Sequence, residues 1–333
     1  MLYYLLLLKK QLNKNKRGDF MLSIYNTDLE TNKFEKIKEF RPGSWINLIN
    51  PTETEIKNVC SNLNIDDEFI KYPLDYEEQA RIDIEDDMTL FVIDIPIIEE
   101  EKGKKIYSTI PLGLIVVRDE YFISVCLRKN RIIDAFEKGK VKGMYTYKKT
   151  RFLLQILYLN ASYYLTDLKK INKEAENTVV ALQESMRNKE LIQLLDYQNS
   201  LVYITTSLKA NELVMEKMAR GKILKSYEED DDILEDAIIE NRQAIEMGKI
   251  YSDILSGTMD AHASIISNNL NGVMKLLASI TIVLSLPTLI ASIWGMNVPL
   301  PFANNQYGFV IVVGISLLVS AIAFIWLKKK DML

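Results

Sequence analysis

The sequence has a single histidine, His262, and only two cysteines, Cys60 and Cys126, which lie far apart in the chain. Because zinc sites draw on several histidine and cysteine ligands, the sequence favours neither a zinc site nor a disulfide framework. It also has no nucleophile–base pattern and no glycine-rich phosphate loop, so we expect neither enzymatic activity nor an organic cofactor. The net charge of −4 gives no reason to expect nucleic acid as a partner.

Proline is absent between Pro111 and Pro287, and this stretch is rich in leucine, lysine, glutamate and alanine. Such a composition without helix breakers predicts long helices, with a break near Gly221. The preceding residues predict a mixed α/β domain, in which a helix follows Pro51 with Asn50 as its cap. The runs that predict strands are 45–50, 89–98, 110–117 and 121–127.

Charge is absent from Leu276 to Leu327, where no Asp, Glu, Lys or Arg occurs. A helix needs about 20 apolar residues to cross the bilayer core. The uncharged block contains two such runs, 276–294 and 307–327, separated by a segment rich in proline and asparagine that predicts a turn. We therefore predict a membrane hairpin rather than a buried hairpin of a soluble core, because a soluble helix would show a polar face.

The lysines flanking the hairpin predict its orientation. Lys275 precedes the first span and three further lysines, 328–330, follow the second, whereas the intervening loop has no charge. An excess of lysine marks the cytoplasmic side, so both termini are predicted to be cytoplasmic. A helix continuous from Ile233 to Trp294 would be roughly 90 Å long. Such a helix is expected to pack against copies of itself as a stalk.

These signals divide the chain into a series of predicted segments. They are an N-terminal extension at 1–20, a cytoplasmic α/β domain at 21–150, a cytoplasmic helical region at 151–232, a stalk helix at 233–275, a first transmembrane helix at 276–294, an outer loop at 295–306, a second transmembrane helix at 307–327 and a basic cytoplasmic C-terminus at 328–333.

Small or polar residues recur along the first span at steps of three and four residues. The stripe consists of Asn271, Met274, Ala278, Thr281, Ser285, Thr288, Ser292 and Gly295. In a membrane such a stripe either packs against another helix or faces a water-filled lumen, and the stripe alone leaves both open. Asn271 and Met274 are not small, which favours the lumen. An apolar ring of Leu277 beside Met274 would close a pore by dewetting it.

The segment Gly295-Met296-Asn297, directly after the first span, resembles the GMN signature of the CorA family of magnesium transporters. The short loop, the last span and the basic terminus fit the same family. Residues 268–297 are similar to the family's first membrane helix, and 75–87 and 111–126 to its cytoplasmic domain. The likeness covers about residues 21–330.

The resemblance implies a funnel-shaped homopentamer in the lipid of the inner or plasma membrane, with one central pore that takes up magnesium, and cobalt or nickel as further cargo. Magnesium dehydrates reluctantly, so a ring of Asn297 amide oxygens would accept hydrogen bonds from its water shell. Gly295 would let the backbone turn out of the helix. The implied pore-lining residues are Asn271, Met274, Leu277 and Thr288, and the stripe adds Thr281, Ser285 and Ser292.

The family often has an apolar Met–Pro pair midway along this helix. This chain has Ser285 there, with Pro287 one residue later than in that pattern.

An acidic run at 228–232, followed by Glu235 and Asp236, is either a solvated loop or a cation site, because such charges repel one another unless a cation lies among them. The family's cytoplasmic magnesium bridges acidic groups of neighbouring subunits. The residues implied here are Asp236 and Asp232 with Glu99, Glu100 or Glu101 of the adjacent subunit. Two alternatives stay open: a zinc transporter of the related ZntB type, and a membrane-anchored scaffold or sensor that does not conduct.

Overall fold

The structure is a computed structural model that describes residues 21–85, 87–101, 103–185, 188–221, 223–224, 228–296, 301 and 306–332. The predicted extension at 1–20 lies outside these residues. Two units can be separated, one ending at Ser256 and the other comprising Gly257–Leu333.

The described strands of the first unit form one mixed sheet. They are β1 (Met21–Thr27), β2 (Phe34–Ile37), β3 (Trp45–Ile49), β4 (Arg81–Glu85), β5 (Met88–Glu101), β6 (Lys104–Val117) and β7 (Tyr121–Cys126). Their order is β2-β1-β3-β7-β6-β5-β4, and only β3 and β7 pair in parallel. The four strand predictions are confirmed. The hairpin between β6 and β7 has Val117 opposite Tyr121, as the turn residues between them indicated.

Two of the helices lie between β3 and β4 in the chain, and the other described helices follow β7. In chain order, the helices are α1 (Glu53–Leu63), α2 (Glu68–Lys71), α3 (Arg131–Glu137), α4 (Lys149–Ser185), α5 (Asn188–Gly221), α6 (Glu228–Trp294) and α7 (Gly308–Lys329), with a 3-10 turn at Tyr72–Leu74. The long helices predicted by the lack of proline are confirmed, and α5 ends at Gly221 as expected. The fold class, an α/β domain followed by long helices and two apolar C-terminal helices, is confirmed as well.

The sheet has a hydrophobic core on each face, because strand side chains alternate between faces. Leu90 and Val92 of β5 belong to the cluster that contains Ile56 of α1. Phe91 and Ile93 belong to the cluster that contains Phe152 of α4, where Phe152 and the fully buried Trp45 meet edge to face with ring centroids 5.0 Å apart. The sheet is thus covered by α1 on one face and by α3, α4 and α5 on the other.

Thr52, not Asn50, caps helix α1, which corrects the predicted cap. The Thr52 hydroxyl accepts from the backbone N–H of Glu55, and the Glu55 carboxylate accepts from the backbone N–H of Thr52. This reciprocal pair satisfies two N–H groups that a helix start otherwise leaves without partners. Asn50 instead has a positive φ of 45° at the end of β3.

Helix α6 begins at Glu228, whereas the sequence predicted a start near Ile233 and allowed the acidic run to be a loop. Acidic side chains are favourable in the first turn of a helix because they face the positive end of its dipole. Arg151 of α4 adds a second reason, since its guanidinium bonds to Glu229 at 2.6 Å and to the buried Asp230 at 2.8 Å. The described part of the run is therefore helical.

Candidate functional site

Helices α6 and α7 are both long and apolar enough to cross a membrane. The predicted stripe on α6 is exposed along its whole length within the single chain. All of its members are exposed, namely Asn271, Met274, Ala278, Thr281, Ser285, Thr288, Ser292 and Gly295, and so is Leu277 beside them. The less exposed positions of the same segment are Ser279, Val283, Leu286, Pro287, Ile290 and Trp294. In a helix with 3.6 residues per turn, the centres of these two sets lie about half a turn apart around the axis, so the sets occupy opposite sides of the helix.

Helix α7 has its own buried face, made of residues four apart. Val312, Ser316 and Ser320 lie on it, with Leu327 near the end of the helix. Beyond α7, the backbone carbonyl of Met332 accepts a hydrogen bond from the buried Ser279 hydroxyl at 2.8 Å. The two apolar helices therefore cover each other through the face of α6 that contains Ser279. The polar stripe lies on the opposite face of α6, and Ser316 and Ser320 of α7 are buried and donate to carbonyls of their own helix.

The hydroxyls of the stripe are oriented by the helix itself. Thr281 donates to the Leu277 carbonyl at 2.8 Å, and Thr288 donates to the Leu284 carbonyl at 3.2 Å. Ser285 donates in the same manner to the carbonyl three residues earlier, at 2.9 Å. Each hydroxyl has one proton and two lone pairs. Since the proton is used within the helix, the oxygens offer acceptors along the exposed face.

Helix α6 ends at Trp294, and the backbone N–H of Gly295 still bonds to the Ala291 carbonyl at 2.9 Å. Met296 follows in a bend and is 56% exposed. Asn297, whose amide oxygen was predicted to form the outer ring, lies outside the described residues. The GMN segment thus comes directly after the last turn of α6.

The predicted regulatory carboxylates fall on two elements. Asp232 and Asp236 are exposed one helical turn apart on α6, and Glu100 is exposed near the end of β5. Glu99 is bound by the Arg128 guanidinium of its own chain, and the side chain of Glu101 is outside the described set. In the part of the chain that the structure covers, no three histidine, cysteine or acidic side chains form a group that could hold a metal ion.

The part of α6 that precedes Gly257 packs antiparallel to α5. The buried Asn241 amide donates to the Leu208 carbonyl at 2.9 Å. Closer to the membrane segment, a Cβ at Gly248 would lie only 2.6 Å from the Thr205 hydroxyl oxygen, so this glycine permits a close approach of the two helices. Sequence reasoning missed these contacts and the ion pairs of Arg151 with Glu229 and Asp230, which we call the Arg151 clamp. In each case the partners are more than 30 residues apart and no local pattern joins them.

The Arg151 clamp also affects titration at the start of α6. Hydrogen bonding to the guanidinium, followed by its charge, lowers the pKa of Glu229. The carboxylate therefore stays ionised where the helix dipole favours a negative charge.

The family model described as CorA-like Mg2+ transporter protein matches residues 43–329. The chain belongs to this CorA-like family. A relative named cobalt/magnesium transport protein CorA, from Methanocaldococcus jannaschii, is 25% identical over 86% of this chain and 90% of its own length. The protein of the same name from Thermotoga maritima is 21% identical over 95% of this chain and 93% of its own. The family prediction made from the GMN segment is thereby confirmed.

A solved structure has the same fold along nearly the whole chain. It is the complete structure of the CorA magnesium transporter from Methanocaldococcus jannaschii, with a TM-score of 0.81 and 23% identity. The match covers 93% of this chain and 98% of the solved one. The CorA-like fold therefore includes both apolar helices as well as the sheet domain, and the chain is a membrane protein.

Proposed function

We propose that five identical chains form a channel that carries magnesium into the cell down its electrochemical gradient, with cobalt or nickel as further cargo. The observation that carries this proposal is the exposed stripe of α6 on the side opposite α7. A ring of α6 helices with the stripe inward leaves α7 between that ring and the lipid. In this arrangement residues 276–294 and 307–327 cross the membrane, 233–275 form the stalk and both termini are cytoplasmic.

The chemistry of the stripe suits a hydrated cation. Magnesium keeps its first water shell, and those waters donate hydrogen bonds outward. The oxygens of Thr281, Ser285 and Thr288 have their protons bound to helix carbonyls and can accept from that shell. Neutral acceptors bind such an ion weakly enough to release it, which conduction requires. A negative cell interior adds a driving force of about 2.3 kcal/mol per charge per 100 mV.

The cytoplasmic end of the stripe changes from polar to apolar. Met274 and Leu277 are 61% and 57% exposed in the single chain. Rings of these side chains would form a narrow apolar constriction, which excludes water and stops ion flow when closed. We assign the gate to this level of the pore.

Cytoplasmic magnesium is proposed to close the channel from the stalk. Asp232 and Asp236 of one subunit would bind it together with Glu100 of the next subunit. Glu99 is the weaker candidate because Arg128 of its own chain already neutralises it. A cation bridging two subunits favours the closed assembly, and its loss shifts the population towards the open one.

Uptake of magnesium into proteoliposomes, followed with an enclosed magnesium-sensitive dye, tests the proposal. Asn297→Ala should abolish uptake, and Thr288→Val, which keeps the side-chain shape, should reduce it. Ser316→Ala on the α7 face is the matched control and should leave uptake unchanged. Unchanged flux in Asn297→Ala would favour the scaffold or sensor alternative, since that protein needs no pore.

Zinc, nickel and cobalt are compared in the same vesicles. Transport of zinc without magnesium would support the ZntB-type alternative instead. A molecular mass in detergent that corresponds to one chain would contradict the ring of subunits.

A further inference from the structure

The backbone that follows α7 forms a defined turn. The N–H of Asp331 bonds to the Lys328 carbonyl at 3.3 Å, and the N–H of Met332 bonds to the Leu327 carbonyl at 3.2 Å. With Lys330 as the C-cap and Asp331 at a positive φ of 53°, these two bonds make a Schellman motif. The motif fixes the backbone from the last turn of α7 to Met332.

This turn is attached to α6. The Ser279 hydroxyl donates to the Met332 carbonyl at 2.8 Å, and Leu327, which precedes three consecutive lysines, is only 2% exposed. Lys275 lies about one helical turn before Ser279 on α6. The fold therefore places Lys275 and lysines 328–330 at the same end of the two packed helices, although the bonded pair is 53 residues apart in the chain. We call these four residues the lysine cluster.

The lysine cluster presents positive charge to its surroundings. All four side chains are exposed. No Asp or Glu occurs between Asp260 and Asp331 in the sequence, so one aspartate accompanies the four lysines and leaves a net charge of +3. Like charges held near one another repel, and an anion among them relieves that repulsion. The cluster is thus suited to an anionic partner.

The position of the cluster indicates what that partner is. Lys275 directly precedes the uncharged apolar block, and Lys328 directly follows it. Trp326, two residues before Lys328, is 59% exposed. Tryptophan rings favour the headgroup layer of a bilayer, and lysine extends its long side chain to the same layer. The anions at this level are the phosphates of the lipid headgroups.

We propose that the lysine cluster binds the phosphate of an anionic phospholipid, and that one headgroup contacts lysines of both α6 and α7. A bias of lysine towards one side of the membrane needs only charge in the sequence. The site needs in addition the Schellman motif and its bond to Ser279, because these hold lysines of two distant segments together. Bound lipid would tie the end of α7 to α6 on the side opposite the polar stripe.

Quenching of tryptophan fluorescence by brominated lipids tests the site. The full chain is placed in phosphatidylcholine vesicles that contain an equal fraction of either brominated phosphatidylglycerol or brominated phosphatidylcholine. Trp294→Phe makes Trp326 the single tryptophan of the two apolar helices, and Trp45 is fully buried in the first unit. One lysine near a bilayer surface contributes about fivefold in affinity for anionic lipid, so quenching should favour phosphatidylglycerol by at least that factor at low salt.

Charge variants of the same protein identify the residues that bind. Replacing all four lysines with glutamine should bring the quenching ratio of the two lipids to about one, and Lys275→Gln alone should lower it by up to about fivefold. Asp331→Asn keeps a residue that tolerates the left-handed conformation but removes the negative charge, so the ratio should rise. Lys249→Gln, at an exposed position of the first unit, is the matched control and should leave the ratio unchanged.

Two salts distinguish lipid from a soluble anion. Sodium chloride at about 1 M should bring the ratio near one, because it shortens the Debye length to about 3 Å. Inorganic phosphate at matched ionic strength should displace the lipid no better than chloride does. A ratio of one in the unaltered protein at low salt, an unchanged ratio in Lys275→Gln, or selective displacement by phosphate would each overturn the proposal.

Discussion

Replacing Asn211 with leucine should destabilise the first unit, because the Asn211 amide substitutes for a missing strand at the edge of β5. Among the described strands, β4 pairs with β5 only as far as Val92, which leaves the backbone edge at Asp94 without a strand beside it. The side chain is 1% exposed and bonds to both backbone groups of Asp94. Leucine has a similar volume, so the change removes hydrogen bonds without leaving a large cavity.

The size of the effect follows from the two bonds that are lost. The Asp94 N–H would be left without a partner, which costs about 1–3 kcal/mol for a buried donor. The Asp94 carbonyl keeps its bond from Asn160, so its loss is only the net value of one bond, about 1 kcal/mol. Burial of the apolar leucine offsets part of this, and we expect a net loss of about 2–3 kcal/mol.

Thermal unfolding of the full chain in detergent, followed by tryptophan fluorescence, measures this loss, since Trp45 is fully buried in the same unit. For a unit of this size, each kcal/mol lowers the Tm by about 2–4 °C. Asn62→Leu, at an exposed position of α1, is the control and should change stability by less than about 0.5 kcal/mol. If both variants unfold at the same temperature, the amide does not support the strand edge.

Three further changes test other contacts. In Gly113→Ala the new Cβ would lie 2.1 Å from Cγ of the rigid Pro73 ring, so a loss of about 1–3 kcal/mol should appear as a lower Tm. Arg151→Met leaves the buried Asp230 without its guanidinium partner, so the free energy of unfolding of the first unit should fall on the order of 3 kcal/mol in the same assay. An unchanged Tm would show that this ion pair is not needed for stability. Ser279→Ala removes the hydrogen bond to the Met332 carbonyl, so carboxypeptidase should trim the residues that follow α7 faster than in the unaltered protein.

The strand and helix predictions succeeded where the signal was local. The alternating runs around β5, β6 and β7 and the lack of proline after Pro111 determine elements within a few residues, because strand and helix periodicity act over short distances. The start of α6 was predicted about five residues late. The acidic run at its start was allowed to be a loop because, in sequence, its charges only repel one another. In the fold Arg151 of α4 lies beside them.

The candidate site likewise has features that the sequence predicts and features that it does not. The stripe and the GMN segment were readable because both lie on one helix and its end. The contact between α6 and α7, which shows the side of α6 that its neighbour covers, could not be predicted from the sequence. A stripe of small residues serves helix packing as well as it serves a lumen. The burial of Ser279 and its bond to the Met332 carbonyl show which face of α6 is covered by its neighbour.

The sequence by itself determined the membrane hairpin, the family and the long uninterrupted helices, since each depends on the composition of one continuous segment. The tertiary structure alone decided which carboxylates are paired, which face of α6 is covered and how the edge of β5 at Asp94 is satisfied. These depend on side chains that are distant in the chain and come within hydrogen-bond distance only when the sheet and helices pack.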